Sequence, residues 1–274
     1  MVSWGEHFQL GSKVDVDGVD VFYIDRGDGE PVVLLHGWAS SSFSWRFNWP
    51  VLAQHYRVVV PDFPGFGYSQ KLPTKLRLKA LAEHIVKFLN KIGVAQFYLA
   101  GMSMGGAIAS YLAANYPGHV RKLVLINPAL FGSRFGARRI PVRLLSVKPF
   151  YNLFSWMIVR KSFIRNVVKQ VYLKPALQSA EMVEAYYQSV KLAGTTLVDA
   201  MYIISDFDLT YVRNVRCPVL FVLGGRDNLV PYELNRKLAE EIGARVFIDL
   251  EAGHAVHEEN PDVVNNVILD FLKA

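Results

Sequence analysis

A series of short apolar segments, most with no polar beat inside them, constrains this chain more than any other feature. They fall at residues 31–35, 57–60, 97–100, 123–126, 218–223 and 245–250. Helical patterns at about 76–92, 107–114, 232–242 and 261–272 separate or follow them. A strand with one wet face alternates apolar and polar side chains, whereas a strand covered on both faces does not. Covered strands joined through helices specify a parallel sheet, because a parallel connection needs a crossover. The chain therefore reads as an α/β protein with a doubly wound, mostly parallel sheet. Residues 19–24 alternate, as a half-wet strand does, and 43–54 read as an amphipathic stretch. With 274 residues, 51% of them apolar, there is length for one large domain or for a domain carrying an insertion.

Residues 129–208 break the rhythm. Their patterns are mostly helical, with aromatics at Phe150, Tyr151, Phe154, Trp156, Tyr186 and Tyr187. They are expected to form a helical cap inserted into a core made of 1–128 and 209–274. The net charge of +6 belongs to this segment, which holds 11 Lys and Arg against 5 Asp and Glu, while the remainder holds 19 of each sign. Nucleic acid is a poor partner, because no binding motif accompanies the charge. Arg134, Arg138, Arg139, Arg143, Arg160, Lys161, Arg165 and Lys169 read as a solvated face. Interleaved with Phe150, Phe154, Trp156, Phe163 and Ile164, they could instead dock on anionic lipid. No apolar run is long enough to cross a membrane. Residues 1–7 lack a secretory pattern, and the lone Cys217 reads as inert packing, so a cytoplasmic location is expected. Oligomeric state stays open.

The chemistry concentrates at residues 97–106, FYLAGMSMGG. An apolar strand meets a small-residue helix start, with Ser103 at the tip of a G-x-S-x-G turn. Such an elbow lifts a serine hydroxyl clear of the backbone, where a base and an electrophile can both reach it. The glycines at 101 and 105 leave room where a Cβ would strike strand or helix. A serine nucleophile needs a base, and the base needs a carboxylate that fixes its tautomer. In a doubly wound sheet those groups come from loops at the carboxyl ends of strands. Asp227 follows one strand in Gly224-Gly225-Arg226-Asp227, and His254 follows another in Glu251-Ala252-Gly253-His254. Asp62, or a carboxylate near Asn127, is the rival acid, and His257 is the rival base. Backbone N–H groups of Met104, just after the nucleophile, and of Trp38, in His36-Gly37-Trp38, are placed to hold a developing oxyanion. His36 and Asp62 read as braces for their loops, and His84 and His119 as structural or solvated.

Taken together, His36-Gly37-Trp38, residues 61–69 (PDFPGFGYS), the elbow, Gly224–Asp227 with Val230-Pro231, and Gly253-His254 with Glu259-Asn260-Pro261 resemble the α/β-hydrolase superfamily. The chain looks like its capped subgroup of esterases, C–C bond hydrolases, epoxide hydrolases and cofactor-free haloperoxidases. The resemblance implies a Ser103–Asp227–His254 triad that needs no cofactor and no metal. Dehalogenases and epoxide hydrolases place an aspartate where Ser103 stands. C–C hydrolases of ring cleavage commonly carry tryptophan at the position of His257, and the haloperoxidases prefer proline at that of Ala39. Ester hydrolysis needs none of these, so a carboxylesterase acting on small to medium hydrophobic esters is expected. A C–C hydrolase, a monoacylglycerol-type lipase and a hydrolase-fold ligand receptor are the alternatives.

Overall fold

The computed structural model describes residues 3–131, 148–205 and 207–274. Eight strands form one sheet in the order β1-β2-β4-β3-β5-β6-β7-β8. They are β1 (Ser12–Val16), β2 (Val19–Arg26), β3 (Pro31–Leu35), β4 (Arg57–Pro61), β5 (Phe97–Met102), β6 (Val120–Ile126), β7 (Val219–Gly224) and β8 (Arg245–Asp249). The first two are antiparallel additions at one edge, and the β4-β3-β5-β6-β7-β8 block is parallel. The uninterrupted apolar runs are the buried strands, since every residue of β5 and β7 is buried. β8 is the exception among the parallel strands, because it forms the opposite edge and is only half-buried.

Twelve α-helices are described: α1 (Trp4–Gln9), α2 (Trp49–Leu52), α3 (Leu78–Lys91), α4 (Met104–Asn115), α5 (Lys148–Ile158), α6 (Lys161–Val171), α7 (Ala180–Ala193), α8 (Thr196–Ser205), α9 (Thr210–Arg213), α10 (Tyr232–Glu241), α11 (Val256–Glu259) and α12 (Pro261–Lys273). In α4 ten of the twelve residues are buried, Met104 to Ala113. That suits a helix of small side chains lying flat on the sheet between its neighbours. α12 turns one stripe inward, Val264, Ile268, Leu269 and Leu272, and starts on Pro261, whose missing N–H costs a first turn nothing. Asn260 precedes it but does not cap it through its side chain. Its Oδ1 accepts from Lys174 and its Nδ2 donates to Asp249 instead.

Between β6 and β7 the described residues hold α5 to α9 and a short 3-10 turn, and no strand. The rest of the expected insertion, 132–147 and Asp206, lies outside the described residues. The stretch at 43–54 breaks into a 3-10 turn (Ser42–Trp45) and α2, because Pro50 cannot continue an earlier helix.

The strand order reverses between β3 and β5. β3 connects outward to β4, whereas β5 connects the other way to β6. Crevices of α/β sheets open outside the carboxyl ends of strands at such a reversal. Register aligns those ends, with Leu35 opposite Gly101, Met102 opposite Ile126, Ile126 opposite Val222 and Gly224 opposite Asp249. Loops leaving β3, β5, β6, β7 and β8 therefore meet along one rim.

Candidate active site

Ser103 stands on that rim with φ 54° and ψ −117°, a conformation that L-residues adopt only under constraint. Its N–H donates to Ile126 O (2.9 Å), and its carbonyl accepts from Gly106 (2.9 Å) and Ala129 (3.0 Å). The strain is thus held by the neighbouring strand end on one side and the first turn of α4 on the other. A Cβ on Gly101 would collide with the Gly105 backbone, and one on Gly105 with the Leu35 and His36 carbonyls. Both glycines are required by close approach, not by their own dihedrals.

The loop after β3 closes on the same point. An ideal Cβ at Gly37 would lie 2.9 Å from Met102 Sδ and 3.3 Å from Ser103 Cβ. Trp38 follows, its indole Nε1–H bound to Leu197 O (2.8 Å) in α8. Met104 is the first residue of α4, where backbone N–H groups have no partner from within the helix. His36 is fully buried. It donates from Nδ1 to Gly37 O (2.9 Å) and accepts the Phe63 N–H at Nε2 (3.0 Å), and burial drives its pKa down to about 3. It is a neutral brace that fixes the loop. Asp62, also fully buried, accepts from Ser42 N (2.6 Å) and Tyr68 N (2.9 Å). Both carboxylate oxygens are spent on turns, and burial raises its pKa to about 6.

Asp227 and His254 come together. His254 Nδ1 lies 2.7 Å from Asp227 Oδ2, with the two side chains 5% and 0% exposed. The other carboxylate oxygen accepts from the Leu229 and Val230 N–H groups (2.8 and 3.0 Å). An ionised carboxylate only accepts, so this contact selects the neutral tautomer with the proton on Nδ1 and the lone pair on Nε2. The rival groups are elsewhere engaged: Asp62 as above, and His257 in a fully buried site against Trp45 (ring centroids 4.7 Å), its pKa lowered to about 3 chiefly by desolvation.

Asn127 ties these loops together, and sequence reasoning saw it only as a neighbour of a possible acid. Its Nδ2 donates to Gly253 O (3.1 Å) and His254 O (2.8 Å), and its Oδ1 accepts from Gly224 N (2.9 Å). Its own N–H reaches Val222 O (3.0 Å) at φ 38°. Ser103 and His254 therefore both hang on residues 126–129. Glu259 works in parallel, with Oε1 accepting from Gly253 N (3.0 Å) and Oε2 from Leu173 N (3.3 Å). A polar residue at a strand's carboxyl end is the signal that would have found Asn127.

Beneath His254 lies a buried ionic network. Arg46 and Glu258 form an ion pair with both side chains 1% exposed. Tyr172 donates to Glu258 Oε1 (2.8 Å) and stands 3.0 Å from the Tyr186 hydroxyl. With Ala255 N on Val171 O (3.3 Å), the network fastens α6 and α7 to the histidine loop. No group of three or more metal-ligating side chains occurs among the described residues. Cys217, half-buried, has its thiol pushed up to about 11 by desolvation, which leaves it a poor nucleophile at neutral pH.

Residues 30–261 match the family described as the alpha/beta hydrolase fold. An uncharacterized hydrolase, YugF, of Bacillus subtilis (strain 168) is 29% identical over 95% of this chain and 97% of its own length. The 2-hydroxy-6-oxo-6-phenylhexa-2,4-dienoate hydrolase of Comamonas testosteroni is 27% identical over 96% and 94%. A thermophilic esterase from Thermogutta terrifontis superposes with a TM-score of 0.78 at 25% identity, over 96% of this chain and 98% of its own.

Proposed function

The chain belongs to the α/β-hydrolase family and is a hydrolase, and from that premise we propose that it cleaves carboxylic esters through an acyl-enzyme on Ser103. The observation that carries the reading is the 2.7 Å contact between His254 Nδ1 and Asp227 Oδ2, on the rim where Ser103 is held at φ 54°. In this reading Ser103 Oγ attacks the ester carbonyl carbon while its proton passes to His254 Nε2. Asp227 stabilises the imidazolium and keeps its tautomer. The carbonyl oxygen becomes an oxyanion that accepts from the Trp38 and Met104 amides, each lowering the barrier by on the order of 3 kcal/mol. Imidazolium then protonates the departing alkoxide, and water repeats the sequence to release the acid.

In this reading the described part of 129–208 serves as a cap, and Trp38 Nε1 on Leu197 O supports contact between it and the oxyanion loop. The aromatic and aliphatic side chains that α5 to α8 bury, such as Phe154, Ile158, Tyr186 and Leu197, favour a small to medium hydrophobic acyl or alcohol group. A cytoplasmic site of action is part of the same proposal. No described helix is long and apolar enough to cross a membrane.

C–C bond hydrolysis is the second reading, favoured by the Comamonas relative and by a Pseudomonas putida 2-hydroxy-6-oxo-2,4-heptadienoate hydrolase 26% identical to this chain. Against it, the tryptophan common three residues after the catalytic histidine in that group is replaced by the buried His257. One assay separates them: p-nitrophenyl esters from acetyl to palmitoyl alongside a ring-cleavage dienone. Ester turnover with a maximum at short to medium chains, and none of the dienone, is expected. Dienone turnover exceeding that of every ester would overturn the ester reading.

A further inference from the structure

α5 turns Phe154 and Ile158 inward, 7% and 0% exposed. Its other side carries Phe150, Leu153, Trp156 and Met157, exposed by 49, 60, 57 and 37%. Positions 150, 153 and 157 follow the helical stripe, and 156 borders it. Nine large apolar side chains are exposed among the described residues, and four sit on this one helix, so the patch is a concentration and not scattered background.

Cations flank it on both ends. α6 buries Ile164, Val167, Val168 and Val171, which leaves Lys161, Arg165 and Lys169, spaced i, i+4, i+8, as an outward ridge. Lys161 pairs with Glu184 (2.7 Å), whereas Arg165 and Lys169 form no ion pair among the described residues. The Arg160 guanidinium lies 3.5 Å over the Trp156 ring and joins the apolar stripe to the cationic one. At the start of α5, Lys148 meets Lys71, Lys75 and Arg77 around a cleft of about 530 Å³, and Asp199 is the one acidic residue among its described lining. None of the five candidate site residues lines that cleft.

Exposed aromatics beside unpaired cations suit one kind of surface. The rings settle at the level of lipid headgroups, the arginine and lysine stems run along the apolar zone, and their charges meet phosphate. A second copy of the chain fits poorly, because a two-fold contact across α5 would bring like-charged α6 ridges together. We propose that the α5–α6 face docks this protein onto an anionic phospholipid surface, with α5 lying in the interface. The docking stands independently of which bond Ser103 attacks.

The test is sedimentation of the full chain with vesicles of phosphatidylcholine, with and without phosphatidylglycerol, at low and high salt. Wild type should pellet with the anionic vesicles, less at high salt and little with phosphatidylcholine alone. Leu153→Glu/Trp156→Glu should weaken binding at least about tenfold, the loss expected for one large buried apolar side chain. Arg165→Glu/Lys169→Glu should weaken it by roughly fivefold for each cation removed. Melting temperature and hydrolysis of a water-soluble ester should not change in either variant. Absent or salt-insensitive binding, equal binding to both vesicle types, or variants that bind like wild type would overturn the proposal. So would a dimer in sedimentation velocity that Leu153→Glu/Trp156→Glu dissolves without vesicle binding, since the face would then belong to a second copy.

Discussion

Replacing Arg46 by Met should be among the most damaging single changes in this protein, and its damage should depend on pH. The side chains of Arg46 and Glu258 are each 1% exposed. The guanidinium also donates to Phe43 O (3.2 Å) and lies over the Phe43 and Phe47 rings (4.4 and 4.2 Å). Methionine keeps the apolar stem and removes the charge, which leaves Tyr172 (2.8 Å) as the one remaining side-chain donor to Glu258 among the described residues. Stranding one partner of a buried pair costs about 3–5 kcal/mol. For a chain of this size that is a fall in Tm of roughly 6–20 °C.

The double variant Arg46→Met/Glu258→Gln removes the stranded charge and should regain on the order of 2 kcal/mol over Arg46→Met alone. Burial already raises the Glu258 pKa, and Arg46 opposes that rise. Without Arg46 the native state holds a proton on Glu258 more tightly than the unfolded chain does, so stability increases as pH falls. His7 and His257, whose protonation Arg46 also opposes, move in the same direction. The deficit of Arg46→Met against wild type should therefore narrow between pH 7.5 and 5.5. Urea unfolding of all three proteins at both pH values decides it. A loss below about 1 kcal/mol, a double variant no more stable than the single, or a deficit independent of pH would refute the reasoning.

Two further outcomes follow from the same geometry. His7, His36 and His257 are held at about 4, 3 and 3 by burial, so each takes up its proton only on unfolding. Their contribution is complete above the ordinary value of 6.5 and is lost as pH falls toward 3, each approaching ~1.4 kcal/mol per pH unit. Asp62, raised to about 6, works in the opposite sense below that pH, as do Glu258, Glu259 and Asp199, whose carboxyls burial also raises. Urea titrations from pH 6.5 to 4.5 should show the slope of stability against pH smaller in His257→Leu than in wild type by an amount approaching one proton; equal slopes would count against a buried neutral His257. Asn127→Ala removes both donors that hold the Gly253 and His254 carbonyls, and kcat should fall on the order of 10²-fold with KM little changed. An equal rise in KM would mean that Asn127 shapes binding and does not position His254.

The parallel sheet was legible because its strands are covered on both faces, and covered strands leave no ambiguity of period. β1 and α1 were not, since residues 12–16 carry only two apolar side chains and α1 is a helix of six residues. Asp227 and His254 could be read because each follows an apolar run within a few residues, and their contact then depends only on strand order. Arg46, Tyr172 and Glu258 lie 126 and 86 residues apart in sequence, as Arg46 to Tyr172 and Tyr172 to Glu258, and no local pattern links them. Their pairing exists only once α6 has packed against the histidine loop. Asn127 hid for a related reason: its three bonds run to backbone atoms, which carry no sequence signature.

The proposed mechanism places the acyl group on Ser103, and peptide mass spectrometry after treatment with a fluorophosphonate reads the reactivity of that serine directly. A single adduct on the peptide containing Ser103, with p-nitrophenyl ester turnover lost in step with labelling and absent from Ser103→Ala, is the result expected. Label on another residue, or full ester turnover by Ser103→Ala, would contradict it.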